Sequence, residues 1–167
     1  LSNGIRIKHK FPVEKNLNPF SYISSVINSK KKLGKPIEEL HLIAHGTEEG
    51  IYFGSKRIDL NELKKSKNKF QKLNLKRIIL WSCDIGKNSE FIKELKNITG
   101  SDIFYSKRNI NRSNLSVFNS NGAYKKLSEI IIPSTFYNWV GNLNWSQSGT
   151  DIDGENSKDQ SGTSISL

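Results

Sequence analysis

The sequence predicts an α/β fold with a mostly parallel central sheet and helices on both of its faces. Segments suited to strands alternate along the chain with segments whose apolar residues recur at helical spacing. Strands that alternate with helices in this way usually form a parallel sheet. The run at 77–81 is apolar at nearly every position, which is typical of a central parallel strand that is covered on both faces.

Several predicted elements begin or end at residues with known local preferences. Pro19 suits the first turn of a helix that Gly34 would end. Asp59 and Glu62 have the spacing of a capping box, and Ser89 suits the start of a further helix. The predicted strands cover residues 5–11, 39–44, 50–53, 57–60, 77–81 and 102–105, the predicted helices begin near residues 19, 60 and 89, and residues 123–132 suit either a helix or a strand.

The composition divides the chain near residue 138. The 167 residues suffice for one domain and an additional segment, and the absence of methionine leads us to expect a piece of a longer protein. Residues 139–167 contain four acidic residues and one lysine, a charge of −3, whereas the remaining 25 basic and 12 acidic residues give +13. We therefore predict a domain at 1–138 and a linker at 139–167 that belongs to another packing unit. No apolar run approaches the roughly 20 residues that a membrane-spanning helix needs.

The net charge of +10 raises the question of nucleic-acid binding. The kinds of basic residue that supply this charge, and their distribution, argue against such binding. Lysine outnumbers arginine 21 to 5, whereas recognition of phosphates and base edges favours arginine. The lysines are scattered, with short clusters at 30–32 and 64–69 on predicted helix surfaces. Binding of an anionic polymer by a basic domain is a weaker alternative, which a steep salt dependence would reveal.

His45 and Cys83 are the candidate catalytic residues, because both follow predicted parallel strands. His45 comes directly after the strand at 39–44, and Cys83 is the second residue after the strand at 77–81. The first segment reads LHLIAHG (40–46) and the second reads RIILWSCD (77–84). Reactive groups in open α/β sheets lie beyond the carboxyl ends of the strands. An imidazole can take the thiol proton and later protonate a leaving amine. The backbone N–H groups of Gly46 and Cys83 would hold the oxyanion, and a glycine lets the backbone approach a substrate closely.

These segments resemble the caspase, gingipain and clostripain group of cysteine peptidases. They are also similar to a bacterial family named domain of unknown function 4347, over residues 3–126, through IYFG (51–54), IDL (58–60), WSCD (81–84) and ITGSDI (98–103). The resemblance implies a caspase-like three-layer sandwich. The sequence departs from the family at Ser82, where a glycine is usual, and at Asp84, where an asparagine is usual. An acidic Asp84 beside the thiol would oppose thiolate formation unless it points away.

The family resemblance also implies a setting, namely a large secreted or cell-surface protein that carries repeats after this domain. The segments WSQSGTDIDGE (145–155) and DQSGTSISL (159–167) resemble the opening of an FG-GAP propeller repeat, which would give an irregular or β-structured tail. Asp151, Asp153 and Glu155 lack the spacing of an EF-hand, so a polar turn is favoured over a calcium site. The sequence has no zinc-type cluster and no phosphate-binding glycine loop, so we expect no metal and no cofactor.

Two functions remain open from the sequence. The first is a cysteine endopeptidase that cleaves a polypeptide, including its own longer chain, with Cys83 as nucleophile and His45 as base. The second is a catalytically inactive caspase-like module of a surface adhesin, in which Cys83 fills the core and His45 makes a structural hydrogen bond. His9 and His41, which lie within predicted strands, are expected to be structural.

Overall fold

A computed structural model of the chain describes residues 10–12, 19–34, 37–53, 56–71, 73–111, 114–129 and 164–166. Within these ranges the elements follow in the order β1 (Lys10–Pro12), α1 (Pro19–Lys32), β2 (Glu39–Ile43), β3 (His45–Thr47), β4 (Gly50–Phe53), β5 (Lys56–Ile58), α2 (Leu60–Lys65), α3 (Lys67–Phe70), β6 (Arg77–Trp81), α4 (Ser89–Thr99), β7 (Asp102–Phe104), β8 (Ser116–Phe118), β9 (Tyr124–Lys126) and β10 (Ser164–Ser166). Single turns of 3-10 helix lie at Ile85–Lys87 and Leu127–Glu129.

The central sheet has five strands in the order β1-β10-β2-β6-β7. Strands β2, β6 and β7 are parallel, with Leu42 beside Leu80 and Ile79 beside Phe104. The two other units are antiparallel, namely the sheet β3-β4-β5 and the hairpin β8-β9. The chain therefore has a mixed α/β fold around three parallel strands, and four helices pack against this sheet.

Strand β10 lies between β1 and β2 and is antiparallel to both. Ile165 pairs with Phe11 on one side and with Leu42 on the other. The backbone of β10 is thus paired with a strand on each side. The separate packing unit expected at 139–167 stays a prediction. The predicted boundary at residue 138 falls outside the described residues. Of the strand predicted at 5–11, only residues 10 and 11 are described, and both belong to β1.

Side chains of the parallel strands alternate between two hydrophobic clusters, one on each face of the sheet. The first cluster receives Leu40, Leu42, Ile78 and Leu80 from the sheet. All four helices contribute to it, with Phe20, Ile23, Ile27, Leu63, Phe70, Phe91, Leu95 and Ile98. The second cluster is formed by Ile43, Ile79, Trp81, Cys83, Phe104, Ile110, Val117 and Leu127.

The sequence predicts helices on both faces of the central sheet, but the described elements cover the two faces in different ways. In the part of the chain that the structure describes, the helices cover the first face, and the second is covered by β8, the loop before it and the turn at Leu127. The reason is local, since β7 is followed by a polar loop and two strands of three residues, not by a helix. A caspase-like sandwich is not established by this arrangement.

The helix starts confirm part of the predicted capping. Asp59 accepts a hydrogen bond from the Glu62 N–H at 2.9 Å, but the Glu62 carboxylate binds Lys65 instead of completing a capping box. The helix predicted from residue 60 onward is interrupted at Ser66, which divides it into α2 and α3. The cap of α4 is Asn88 and not Ser89, because the Asn88 side chain accepts from the Phe91 N–H at 2.9 Å.

Asn88 also ties α4 to the hairpin that carries His45, so its replacement has two expected effects. Its side-chain amide donates to the Glu48 carbonyl oxygen at 2.9 Å. Asn88→Ala should lower the free energy of unfolding by about 1–2 kcal/mol, measured by denaturant titration, because a helix cap and a hydrogen bond are both lost. Asn88→Ser keeps a cap but loses the bond to Glu48, so it should recover only the part of the loss that is due to the cap. Equal destabilisation by both variants would contradict the capping role.

Candidate active site

The predicted site residues lie where the sequence places them, at the carboxyl ends of two neighbouring parallel strands. Ile43 at the end of β2 is in register with Trp81 at the end of β6. The Ala44 N–H donates to the Trp81 carbonyl oxygen at 3.3 Å, so the two segments that continue β2 and β6 stay together just beyond the sheet. His45 and Cys83 then follow in parallel segments that leave the same edge.

Gly46 brings these two segments into direct contact. A Cβ atom at this position would lie 2.7 Å from the Ser82 Cβ and 2.8 Å from the Cys83 carbonyl oxygen. Separations this short do not occur in folded proteins, so a side chain is excluded at this position. The sequence suggests that this glycine makes room for a substrate; the structure shows that the space is filled by the chain's own Ser82 and Cys83.

The Cys83 thiol is buried in the second hydrophobic cluster, with 0% of the residue exposed. Its sulfur accepts a hydrogen bond from the Ile110 N–H at 3.1 Å. Such a donor favours the thiolate, whereas the apolar neighbours favour the neutral thiol. A substrate can reach the sulfur only after the chain around Ile110 moves.

Residues 106–111, which we name the cover segment, are fixed over the thiol by backbone hydrogen bonds. The Gly86 N–H donates to the Ser106 carbonyl oxygen at 2.9 Å, and the Asp84 N–H lies 3.4 Å from the Arg108 carbonyl oxygen. The Ser106 hydroxyl donates to the same Arg108 oxygen at 2.8 Å. The cover segment is thus attached to the residues that directly follow Cys83.

Asp84, whose position in the sequence suggests repulsion of a thiolate, forms an ion pair within its own turn. Its backbone is left-handed, with φ of 56°, and its carboxylate pairs with the Lys87 ammonium at 2.8 Å. This hydrogen bond raises the pKa of Lys87 above its ordinary value. The negative charge of Asp84 is therefore compensated within the same turn.

Ser82, the residue that replaces the usual family glycine, is buried with its hydroxyl unpaired. Among the described residues, the Ser82 Oγ has no hydrogen-bond partner. A buried hydroxyl without a partner costs on the order of 1–3 kcal/mol. This unpaired hydroxyl belongs to the residue that packs against Gly46 and directly precedes Cys83.

His45 is half-buried as the first residue of β3, across from Tyr52 on β4. The structure brings Gly46 and the backbone of Cys83 together. The roles of His45 as base and of the two backbone N–H groups as oxyanion donors remain predictions. His9 lies outside the described residues.

A second polar cluster, which begins at the opposite end of the same strands, was not identified from the sequence. The Trp81 indole N–H donates to His41 Nδ1 at 3.0 Å, so the other ring nitrogen, Nε2, carries the proton and donates to Glu39 at 2.8 Å. Glu39 also accepts from Arg77 Nε at 2.6 Å and Lys125 Nζ at 2.8 Å. Because Glu39 and His41 are two residues apart on one strand, they share a face, which was the available signal.

Hydrogen bonds lower the pKa of Glu39 from 4.5 to about 2, with the bond from His41 as the largest cause and partial burial opposing it. The cluster connects β2, β6 and β9, and it extends from Glu39 and Arg77 at the amino ends of the parallel strands to Trp81 at the carboxyl end of β6. His41 thus has the structural role that the sequence predicts.

The described residues form neither a membrane-spanning helix nor a cluster of potential metal ligands. No helix among the described residues is both long and apolar enough to cross a bilayer. The same residues contain no group of three or more His, Cys, Asp or Glu side chains that could hold a metal ion.

Comparison with known proteins identifies a family for this chain. Neither the curated proteins nor the solved structures contain a match to this chain. Residues 8–116 match the family described as domain of unknown function (DUF4347). This match covers more than half of the chain and includes both segments of the candidate site, so the chain belongs to the DUF4347 family.

Proposed function

We propose that this domain is a caspase-like cysteine peptidase whose thiol is covered in the resting conformation. One observation carries the proposal: Gly46 packs directly on Ser82 and Cys83 beyond the carboxyl ends of two parallel strands. Ligands of open α/β sheets bind beyond the carboxyl ends of the strands, and His45 and Cys83 both lie there. The resemblance to the caspase group supports the same assignment.

In this mechanism, His45 takes the proton of Cys83, and the thiolate attacks the carbonyl carbon of a peptide bond. The backbone N–H groups of Gly46 and Cys83 would stabilise the oxyanion, and the protonated His45 would return its proton to the leaving amine. The substrate is a polypeptide, with a bond in the same longer chain as one candidate. We further propose that the domain acts in a large secreted or surface protein, followed by FG-GAP-like repeats.

The covered thiol imposes a condition on this mechanism. The cover segment must lift before the thiol can react, which breaks the bond from Ile110 to the sulfur and exposes the Ile110 side chain. Local openings of this kind cost less than global unfolding and occur in folded proteins. The enzyme would therefore be latent until a ligand or a neighbouring domain favours the open state.

A second candidate function is a non-catalytic module of a surface protein, and the same burial favours it. Cys83 lies among Ile79, Trp81 and Val117 as an ordinary core residue would. The unpaired Ser82 hydroxyl and the filled space at Gly46 also leave little room for a reacting group. In this case Cys83 would contribute to packing, and no reaction would take place at its sulfur.

Labelling of the thiol distinguishes the two functions. If the domain is a peptidase, a peptidyl electrophile should label Ile110→Ala, whose cover segment is loosened, and adding His45→Ala should slow this labelling about 100-fold, because the general base is lost. The rate should be followed by mass spectrometry across pH, with the urea-unfolded chain as the reference for an unactivated thiol. Ile110→Ala should speed labelling by loosening the cover segment.

Two labelling results would contradict the peptidase proposal. Equal labelling of Ile110→Ala and of the double variant Ile110→Ala/His45→Ala would remove the peptidase proposal, because the thiol is accessible in both and His45 would then make no difference. Labelling of Ile110→Ala at the rate of the unfolded chain, independent of His45, would identify Cys83 as a core residue.

A further inference from the structure

A cavity of about 600 Å³ lies beside the cover segment, at the carboxyl end of β7 and after β8. Residues 105–108, Asn114 and residues 118–120 line it. Its volume falls within the range of small-molecule and side-chain binding sites. Because Ser106 and Arg108 both line the cavity and bond to the residues after Cys83, the cavity is adjacent to the candidate site.

The cavity carries positive charge that its surroundings leave uncompensated. Lys107 and Arg108 are exposed, and no acidic residue is among those that line the cavity. Several other cations have acidic partners, as Lys87 has Asp84 and Lys125 has Glu39. Within the described ranges, neither Lys107 nor Arg108 has an acidic partner, so both charges are available to an anionic group from outside.

An exposed aromatic pair lies at the rim of this cavity. Phe118 and Tyr124 are 48% and 56% exposed, and their ring centroids are 6.1 Å apart. Asn119 fixes this wall, because its side chain donates to Asp102 at 2.6 Å and accepts from the Asn121 and Ala123 N–H groups. A rigid aromatic surface beside free cations is a typical arrangement for binding a peptide with mixed character.

We propose that this cavity binds an acidic peptide segment, with an aspartate or glutamate carboxylate on Arg108 and Lys107 and an apolar neighbour on Phe118. Arg108 can form the bidentate, charge-assisted hydrogen bonds that carboxylates favour. A nucleic-acid strand would instead need a row of cations that follows its phosphates, and the cavity supplies two. The proposal goes beyond the peptidase function, because binding requires no reaction at Cys83.

Fluorescence anisotropy with a labelled extended peptide that contains a glutamate next to a leucine tests the proposal. Binding should be measured with the full chain carrying Cys83→Ala and with the wild type, at about 0.15 M salt. Arg108→Gln should weaken binding about tenfold or more, and a peptide with glutamine for glutamate should bind as weakly to the unchanged chain. Lys93→Gln, which removes an exposed charge on α4, is the matched control and should change affinity less than about twofold.

Two results would overturn the proposal. Equal weakening by Arg108→Gln and Lys93→Gln, or equal binding of the glutamate and glutamine peptides, would show that only the net charge matters. Tighter binding of a short oligothymidylate, also lost in Arg108→Gln, would assign the cavity to nucleic acid. Peptide binding is measured in Cys83→Ala, which cannot react at the thiol. A failure of the peptide to bind is therefore distinguishable from a failure of the peptidase proposal.

Discussion

Replacing Glu39 by glutamine should lower the free energy of unfolding by about 3 kcal/mol at pH 7. The Glu39 carboxylate is 22% exposed and accepts hydrogen bonds from His41, Arg77 and Lys125. A glutamine removes the negative charge and leaves two cations without their common partner. The loss should be measured by denaturant titration at pH 7.

The same variant should change the response to acid. The pKa of Glu39 is about 2 in the folded chain and 4.5 in the absence of its partners, so the unfolded chain binds a proton more readily. The stabilisation is therefore fully present above about pH 4.5 and is lost as the pH falls through about 2. Glu39→Gln should flatten this part of the stability curve.

Glu38 provides the matched control, because it precedes Glu39 and pairs with Lys76 at the surface, with 57% of its side chain exposed. Glu38→Gln should cost less than about 0.5 kcal/mol and leave the acid response unchanged. If Glu38→Gln and Glu39→Gln gave the same curve between pH 2 and pH 5, the polar cluster would not contribute to stability as proposed.

Replacing Gly46 by alanine should destabilise the domain by about 2–4 kcal/mol. The added methyl group would meet the Ser82 Cβ and the Cys83 carbonyl oxygen, at 2.7 and 2.8 Å. Both atoms belong to the chain that leaves β6, so neither can move without shifting the end of that strand. Denaturant titration of the variant measures the cost.

Gly122→Ala separates this clash from the general cost of replacing a glycine. Gly122 has a φ of +80° and no atom within 4 Å of the added methyl group, so only backbone strain of about 1–2 kcal/mol is expected. A smaller loss for Gly46→Ala than for Gly122→Ala would show that Gly46 does not pack against Ser82 and Cys83. The candidate site would then lose its main structural support.

The elements closest to the site could be predicted from the sequence because their signals are local. Strands β2 and β6 are runs of apolar residues, and their bounds differ from the predicted ones by at most one residue. Parallel pairing then follows from the alternation with helices, so the positions of His45 and Cys83 beyond the strand ends were predictable. The capping error at Asn88 is a shift of one residue.

The missed features depend on contacts between distant residues. The bond from Ile110 to the Cys83 sulfur joins residues 27 positions apart, and the pair of Lys125 with Glu39 spans 86 positions. Strands β8 and β9 have three residues each, too few for a period of two to be recognised. The cover segment, the polar cluster and the cavity were therefore not predictable from one sequence.

The unequal covering of the two sheet faces gives the described part of the domain a thick side and a thin side. Four helices protect the thick side, whereas short strands and loops protect the thin side, on which the sulfur lies. Gentle heating or mild denaturant should therefore admit solvent on the thin side first, while the helical side remains intact. Oxidants would reach Cys83 by this route before the chain unfolds, so oxidative damage would report early loosening of the protein.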